Sequence, residues 1–192
     1  LVEESIAEAL DFRRAMRKVD AEYGKDWWFK VWGPDNLVED GVGRADDWVI
    51  KTEKKGRAKK TDAPNWHGFG ELADGFNMLD PIKATIVTPG LNLDGKFDKT
   101  GIPASVLTKF LTEHGVVVEK TGLYSFFIMF TIGITKGRWN SLLTALQQFK
   151  DDYDRNQPMW RILPEFCQKH RNYERMGLRD LCHHIHTLYA KH

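Results

Sequence analysis

Lys83-Ala-Thr-Ile-Val-Thr88, Gly101-Ile102-Pro103, Val116-Val117-Val118 and the run from Tyr124 to Ile132 are the stretches from which the fold follows. The first is β-branched and ends at Pro89-Gly90, and Asp94-Gly95 marks a turn in the connection beyond it. Gly101-Ile102-Pro103 places a proline in the first turn of a helix whose face is Leu107, Phe110, Leu111 and His114, with Gly115 as its C-terminal cap. Val116 to Val118 predicts a second strand. Tyr124 to Ile132 is nearly continuous in apolar residues and predicts a third, covered on both faces, with Gly133 ahead of the next helix. That helix is marked by Trp139, Leu142, Leu143, Leu146, Phe149 and Tyr153 at spacings of three and four, with Thr135 as its candidate N-cap. The order β-α-β-β-α assigns an α/β fold of the α+β-like kind, a small open sheet with its helices packed on one face.

Outside this unit the pattern is helical at both ends. Val2, Ile6, Ala9, Leu10, Met16, Val19 and Tyr23 recur at helical spacing, and Gly24 closes the segment. Trp27 to Trp32 is aromatic and reads as a short strand ended by Gly33-Pro34-Asp35-Asn36. From Glu39 to Pro64 the chain turns polar, and Lys51 to Lys60 carries six positive charges against one negative, as expected of an exposed loop. Met159, Ile162, Leu163 and Phe166, then Leu178, Leu181, Cys182, Ile185, Leu188 and Tyr189, predict two further amphipathic helices. No internal repeat is visible.

Composition narrows the classes of function. The 192 residues carry 28 Lys+Arg and 27 Asp+Glu, a net charge of +1, so no global field recruits nucleic acid or an anionic membrane. No apolar run reaches the length of a membrane helix, and residues 1 to 23 are not built as a secretory signal. Two cysteines, Cys167 and Cys182, form no disulfide framework and no zinc signature, which fits a reducing compartment and makes the cytoplasm the expected location. Leu1 at the start and an uncapped helical pattern at the end give the chain the look of a piece of a longer polypeptide.

Four groups are candidates for chemistry. The Lys51 to Lys60 patch can meet phosphates, but it lacks interleaved aromatics and reads more simply as a solvated loop, so no nucleic-acid partner is expected. Cys182-His183-His184-Ile185-His186 puts His183 and His186 one helical turn apart; only two side chains share that face, and Cys182 is explained as core, so no metal is expected. Trp66-His67-Gly68-Phe69 encloses an imidazole and a glycine between two aromatics, either as a shielded site or as loop packing. Glu119 follows the valine run, where its carboxylate emerges either at a cleft, able to hold an ammonium or guanidinium, or as one half of a surface pair. Phosphate loops, nucleophile elbows and His-Glu-x-x-His are absent.

Read together, Trp66-His67-Gly68-Phe69, Leu79-Asp80-Pro81-Ile82-Lys83, Thr88-Pro89-Gly90, Gly101-Ile102-Pro103-Ala104, His114 to Gly122 and Phe130 to Gly137 resemble the bacterial decarboxylases of lysine, ornithine and arginine. The likeness covers most of residues 27 to 190. These are pyridoxal-phosphate enzymes of the aspartate-aminotransferase fold type, and the β-α-β-β-α order is similar to their smaller C-terminal domain. The resemblance implies that residues 1–26 are the connecting helix from an upstream large domain, and that residues 27–192 are the C-terminal small domain with an exposed loop at 39–64. It implies Glu119 as the group receiving the basic substrate and Trp66 and His67 as site-lining residues. The cofactor lysine of the family lies upstream, so no catalytic residue is expected in this segment, and the segment alone is expected to be inactive. The partners implied are a basic amino acid and further copies of the same chain, as a homodimer or larger homo-oligomer. Glu119-Lys120-Thr121-Gly122 is more similar to lysine and ornithine members, Thr135 to Trp139 to arginine members, and lysine is favoured. The competing expectation is an interaction or regulatory module that keeps the α/β layer without the chemistry.

Overall fold

A computed structural model describes residues 2–33, 79–92 and 94–191. Helix α1 (Val2–Tyr23) leads to strand β1 (Lys30–Val31), and the chain then runs through β2 (Lys83–Val87), α2 (Ala104–Glu113), β3 (Lys120–Thr121), β4 (Ser125–Met129) and α3 (Lys136–Asp154). Two short helices, α4 (Met159–Ile162) and α5 (Pro164–Lys169), and a 3-10 turn (Arg171–Tyr173) precede α6 (Leu178–Tyr189). The strands form one antiparallel sheet in the order β1-β2-β4-β3, so the expected β-α-β-β-α unit is present as β2 to α3, with β1 added as a fourth strand.

The period-two pattern decides which face of the sheet is covered. Ala84 and Ile86 of β2 lie opposite Ile128 and Phe126 of β4, and these four belong to the core with Phe12 and Met16 of α1, Leu107 and Phe110 of α2, and Leu146 and Phe149 of α3. Burying each such phenyl or leucyl group contributes about 1.5 to 3 kcal/mol, so this face holds the layers together. Thr85, Val87, Phe127 and Met129 point the other way and are only half-buried. The expectation that Tyr124 to Ile132 is covered on both faces is therefore corrected: the described helices lie on one side, and the strand itself spans Ser125–Met129.

Three other boundaries shift for local reasons. Val116 to Val118 is not a strand. Gly115 takes a left-handed conformation, φ 77°, and the Val116 amide turns back to the Leu111 carbonyl, so pairing with β4 starts only when the Glu119 amide reaches the Phe127 carbonyl at 3.0 Å. Val117 is left 86% exposed. Of Trp27 to Trp32 only Lys30–Val31 is strand, because Trp27 packs edge-on against Tyr153 and Phe29 against Phe149. The helix expected around Met159 to Phe166 is split at Pro164, whose ring cannot continue α4.

Polar side chains pin α1 to the sheet. Arg13, 3% exposed, donates from its two terminal nitrogens to the carbonyls of Trp32 and Lys83, joining α1 to the end of β1 and the start of β2. Burial, with Arg17 adding to it and Asp80 opposing, lowers its pKa to about 10, so it stays charged at neutral pH. Trp139 of α3 donates to Glu8 of α1 at 2.6 Å. α1 thus shares one core with the layers that follow it.

Candidate functional site

Glu119 stands at the entry to β3, one of the two edge strands of the described sheet, and is exposed. Its main chain is fixed by the bond to Phe127, and two residues on the Thr121 hydroxyl donates to Thr108 of α2 at 3.3 Å. Among the described residues its carboxylate has no hydrogen-bond or ion-pair partner, so it is neither half of a surface pair nor at the end of a buried strand. It is an anion held out at the sheet edge by a hairpin of known register, with Lys120 opposite Phe127 and Thr121 opposite Phe126. An unpaired carboxylate on a fixed backbone can accept from an ammonium or guanidinium.

The closed end of that hairpin is held by several polar contacts. The Gly122 amide donates to the Ser125 carbonyl at 2.7 Å, the Ala104 amide at the start of α2 to the Leu123 carbonyl, and the Thr88 amide to the Tyr124 carbonyl. Tyr124 and His186 of α6 are both buried, with hydroxyl oxygen and Nδ1 2.5 Å apart. His186 Nε2 lies 2.8 Å from the Asp98 carbonyl, an obligate acceptor. Nε2 therefore carries the proton of the neutral ring, and Nδ1 accepts from Tyr124. Burial, with Tyr189 and Cys182 nearby, pushes the Tyr124 phenol up to about 12.

This arrangement changes how the histidine cluster of α6 is read. His183 is exposed and His186 is buried, with both ring nitrogens of His186 engaged, and no group of three or more metal-binding side chains occurs among the described residues. Cys182 is fully buried and its thiol is pushed up to about 12 by burial, as suits a core residue. Trp66 and His67, like the Lys51 to Lys60 patch, lie outside the described residues. Sequence reasoning missed Tyr124 and the Tyr124–His186 pair. The available signal was that His186 falls at i, i+4 and i+8 with Cys182 and Leu178 on the buried stripe of α6.

A second charged cluster lies at the far side of the core. Lys150 of α3 is 1% exposed, and its ammonium sits 2.7 Å from both Asp26 and Asp154 and over the rings of Trp27 and Tyr23. Burial opposes its charge, but the bonds to Asp154 and Asp26 outweigh that and raise its pKa. It is the only buried lysine among the described residues, and it is fully committed.

Known proteins similar to this chain are consistent with each other. The family model described as "Orn/Lys/Arg decarboxylase, major domain" matches residues 1–138. A lysine decarboxylase of Pseudomonas aeruginosa is 45% identical over 192 residues, covering 98% of this chain and 24% of that protein. The biodegradative arginine decarboxylase of Escherichia coli is 34% identical over 189 residues, covering 94% of this chain and 25% of that protein. The solved structure of the constitutive lysine decarboxylase of Escherichia coli superposes with a TM-score of 0.85 at 34% identity, covering 99% of this chain and 25% of that one. The chain spans about a quarter of the length of these relatives.

Proposed function

Because the chain belongs to the family of ornithine, lysine and arginine decarboxylases, we propose that the protein containing it removes CO2 from a basic amino acid, lysine ahead of ornithine or arginine, and releases a diamine or agmatine. The observation that carries this is the 45% identity to a lysine decarboxylase across 98% of the chain. The family chemistry calls for pyridoxal phosphate, which acts as an electron sink for the bond to the departing carboxylate. The described residues do not fit that group: Lys150 is locked between two aspartates and two aromatic rings, and every other described lysine lies in an exposed or half-exposed setting. Cofactor binding is assigned to the upstream part of the parent protein, and no step of the reaction is carried by a residue of this segment.

The role left to this segment is reception of the substrate. Glu119, unpaired and fixed on the β3–β4 hairpin, accepts the distal cation of the substrate, which selects for a long basic side chain and fixes the end remote from the reacting carbon. A single carboxylate does not rank lysine against ornithine or arginine, whose cations differ in reach and donor geometry. Trp66 and His67 are proposed to line the same site. Residues 1–26 are proposed as the helix arriving from the large domain and residues 27–192 as the small domain. Assembly into a homodimer or larger oligomer completes the site, and the free buried cysteines accord with the cytoplasm.

The test is CO2 release by the full-length parent protein, supplied with pyridoxal phosphate, from lysine, ornithine and arginine in turn. The expected result is release from lysine in preference to the other two, with Glu119→Gln losing about 10-fold or more of kcat/KM, the worth of one charge-assisted hydrogen bond. No release from any of the three, and no cofactor absorbance on the purified protein, would leave the interaction-module reading as the better account.

A further inference from the structure

The β3–β4 hairpin has only two paired residues on its outer strand, so the position of Glu119 depends on how firmly the closed end is held. Two of its anchors are main-chain bonds, from Ala104 to Leu123 and from Thr88 to Tyr124, at 2.8 and 2.9 Å. The third, from the Tyr124 hydroxyl to His186, is made by side chains and joins the hairpin to α6, 62 residues further along. The joint is close-fitting. A Cβ at Gly90 would lie 2.5 Å from the Tyr124 ring, and one at Gly101 would strike the His186 ring, so both glycines are needed for the two rings to seat. Phe97 packs edge-on against both rings, and the Asp98 carbonyl fixes the remaining nitrogen of His186. The imidazole cannot rotate without breaking one of its two bonds.

We propose that His186 is a positioning residue for the Glu119 carboxylate, acting through Tyr124 and the β3–β4 turn. This rests on the reading of Glu119 as the group that receives the substrate cation. His186 touches neither the substrate nor Glu119. It sets the height of the turn and therefore the reach of the carboxylate five residues before Tyr124. Because a charge-assisted hydrogen bond loses strength with small displacements, loosening the turn weakens substrate binding while leaving the bond-breaking step to groups elsewhere.

The test is steady-state kinetics of the full-length, cofactor-loaded parent enzyme with lysine. Tyr124→Phe and His186→Leu are each expected to raise KM about 3- to 10-fold with kcat within about 2-fold. His186→Asn, whose side-chain oxygen can still accept from Tyr124, is expected to recover most of the loss. In a Glu119→Gln background, Tyr124→Phe is expected to change KM by less than about 2-fold, because two changes acting through one group do not add. Full additivity of the two changes would overturn the proposal, as would a fall in kcat with KM unchanged. If Glu119→Gln raises KM but Tyr124→Phe and His186→Leu are silent, positioning is wrong and the Glu119 reading stands; if Glu119→Gln itself leaves KM unchanged, both fall. Should His186→Leu fail to fold, Tyr124→Phe, which removes a single oxygen atom, decides the matter alone.

Discussion

Lys150 and Glu119 are charged residues in opposite circumstances. The ammonium of Lys150 is 1% exposed and has two carboxylates and two aromatic rings around it. The carboxylate of Glu119 is exposed and, among the described residues, has no partner at all. The contrast separates two uses of charge. A buried ion is kept only where its surroundings satisfy it, so it serves the fold and has nothing left for a ligand. An exposed, unpaired ion on a fixed backbone adds little to the fold and keeps its full capacity for something that arrives from outside.

The largest expected effect breaks the first half of this contrast. Lys150→Met removes the ammonium but leaves Asp26 and Asp154, together with the Trp27 indole that donates to Asp154, without their central cation. Losing one partner of a fully buried pair costs about 3 to 5 kcal/mol, and the half-exposed aspartates reduce this to about 2 to 3 kcal/mol. Chemical denaturation of the parent protein should show that loss with little change in KM. A stability change below about 0.5 kcal/mol would mean that aromatic packing, rather than the ion pair, joins the end of α1 to α3.

Glu119→Gln tests the other half. It should leave the unfolding midpoint within about 0.5 kcal/mol of the wild type while removing most of kcat/KM. The same denaturation series and the same assay read both variants, so the comparison is sharpened if the two losses fall in opposite columns and broken if Glu119→Gln destabilises the protein as Lys150→Met does.

How far the sequence foretold these two residues follows from what each depends on. Helices α1, α2, α3 and α6 are legible because each buries a stripe of three- and four-residue spacing, and β2 because its β-branched run is bounded by Pro89-Gly90. Strand β3 is not legible. Its residues, Lys120 and Thr121, have no apolar signal and pair only because β4 lies beside them, whereas the more strand-like Val116 to Val118 is taken up by the exit from α2. Glu119 is proposed from motif and resemblance, and the expectation of a buried strand behind it is corrected by the turn at Gly115 and Val116. Lys150 reads in sequence as an ordinary charge beside Phe149. Its cage is made by Tyr23, Trp27 and Asp26, more than a hundred residues away, and nothing local announces a contact of that range. The Tyr124–His186 joint escapes for the same reason.

A smaller effect, the pH dependence of the Lys150 cage, has its sign fixed by its members. Asp26 is held below its ordinary value, first by the Lys150 hydrogen bond and then by the Trp27 amide. Its contribution is present above the unfolded carboxylate range, near pH 4, and is lost as pH falls through the lower folded value. The Lys150 pKa is raised on balance, so its contribution is complete below its unfolded value, near pH 10.4, and is lost as pH climbs through the higher folded one. The stability difference between wild type and Lys150→Met should therefore be flat across neutral pH and shrink at both ends. The acid side should shrink by no more than about 1 kcal/mol, since Asp26 is 53% exposed and solvent screens its bond. Unfolding midpoints measured at intervals from pH 3 to about pH 11 check this. A difference that grows toward acid would mean that the Lys150 ammonium does not favour the charged form of its aspartates, and the cage would then be held by its aromatic walls.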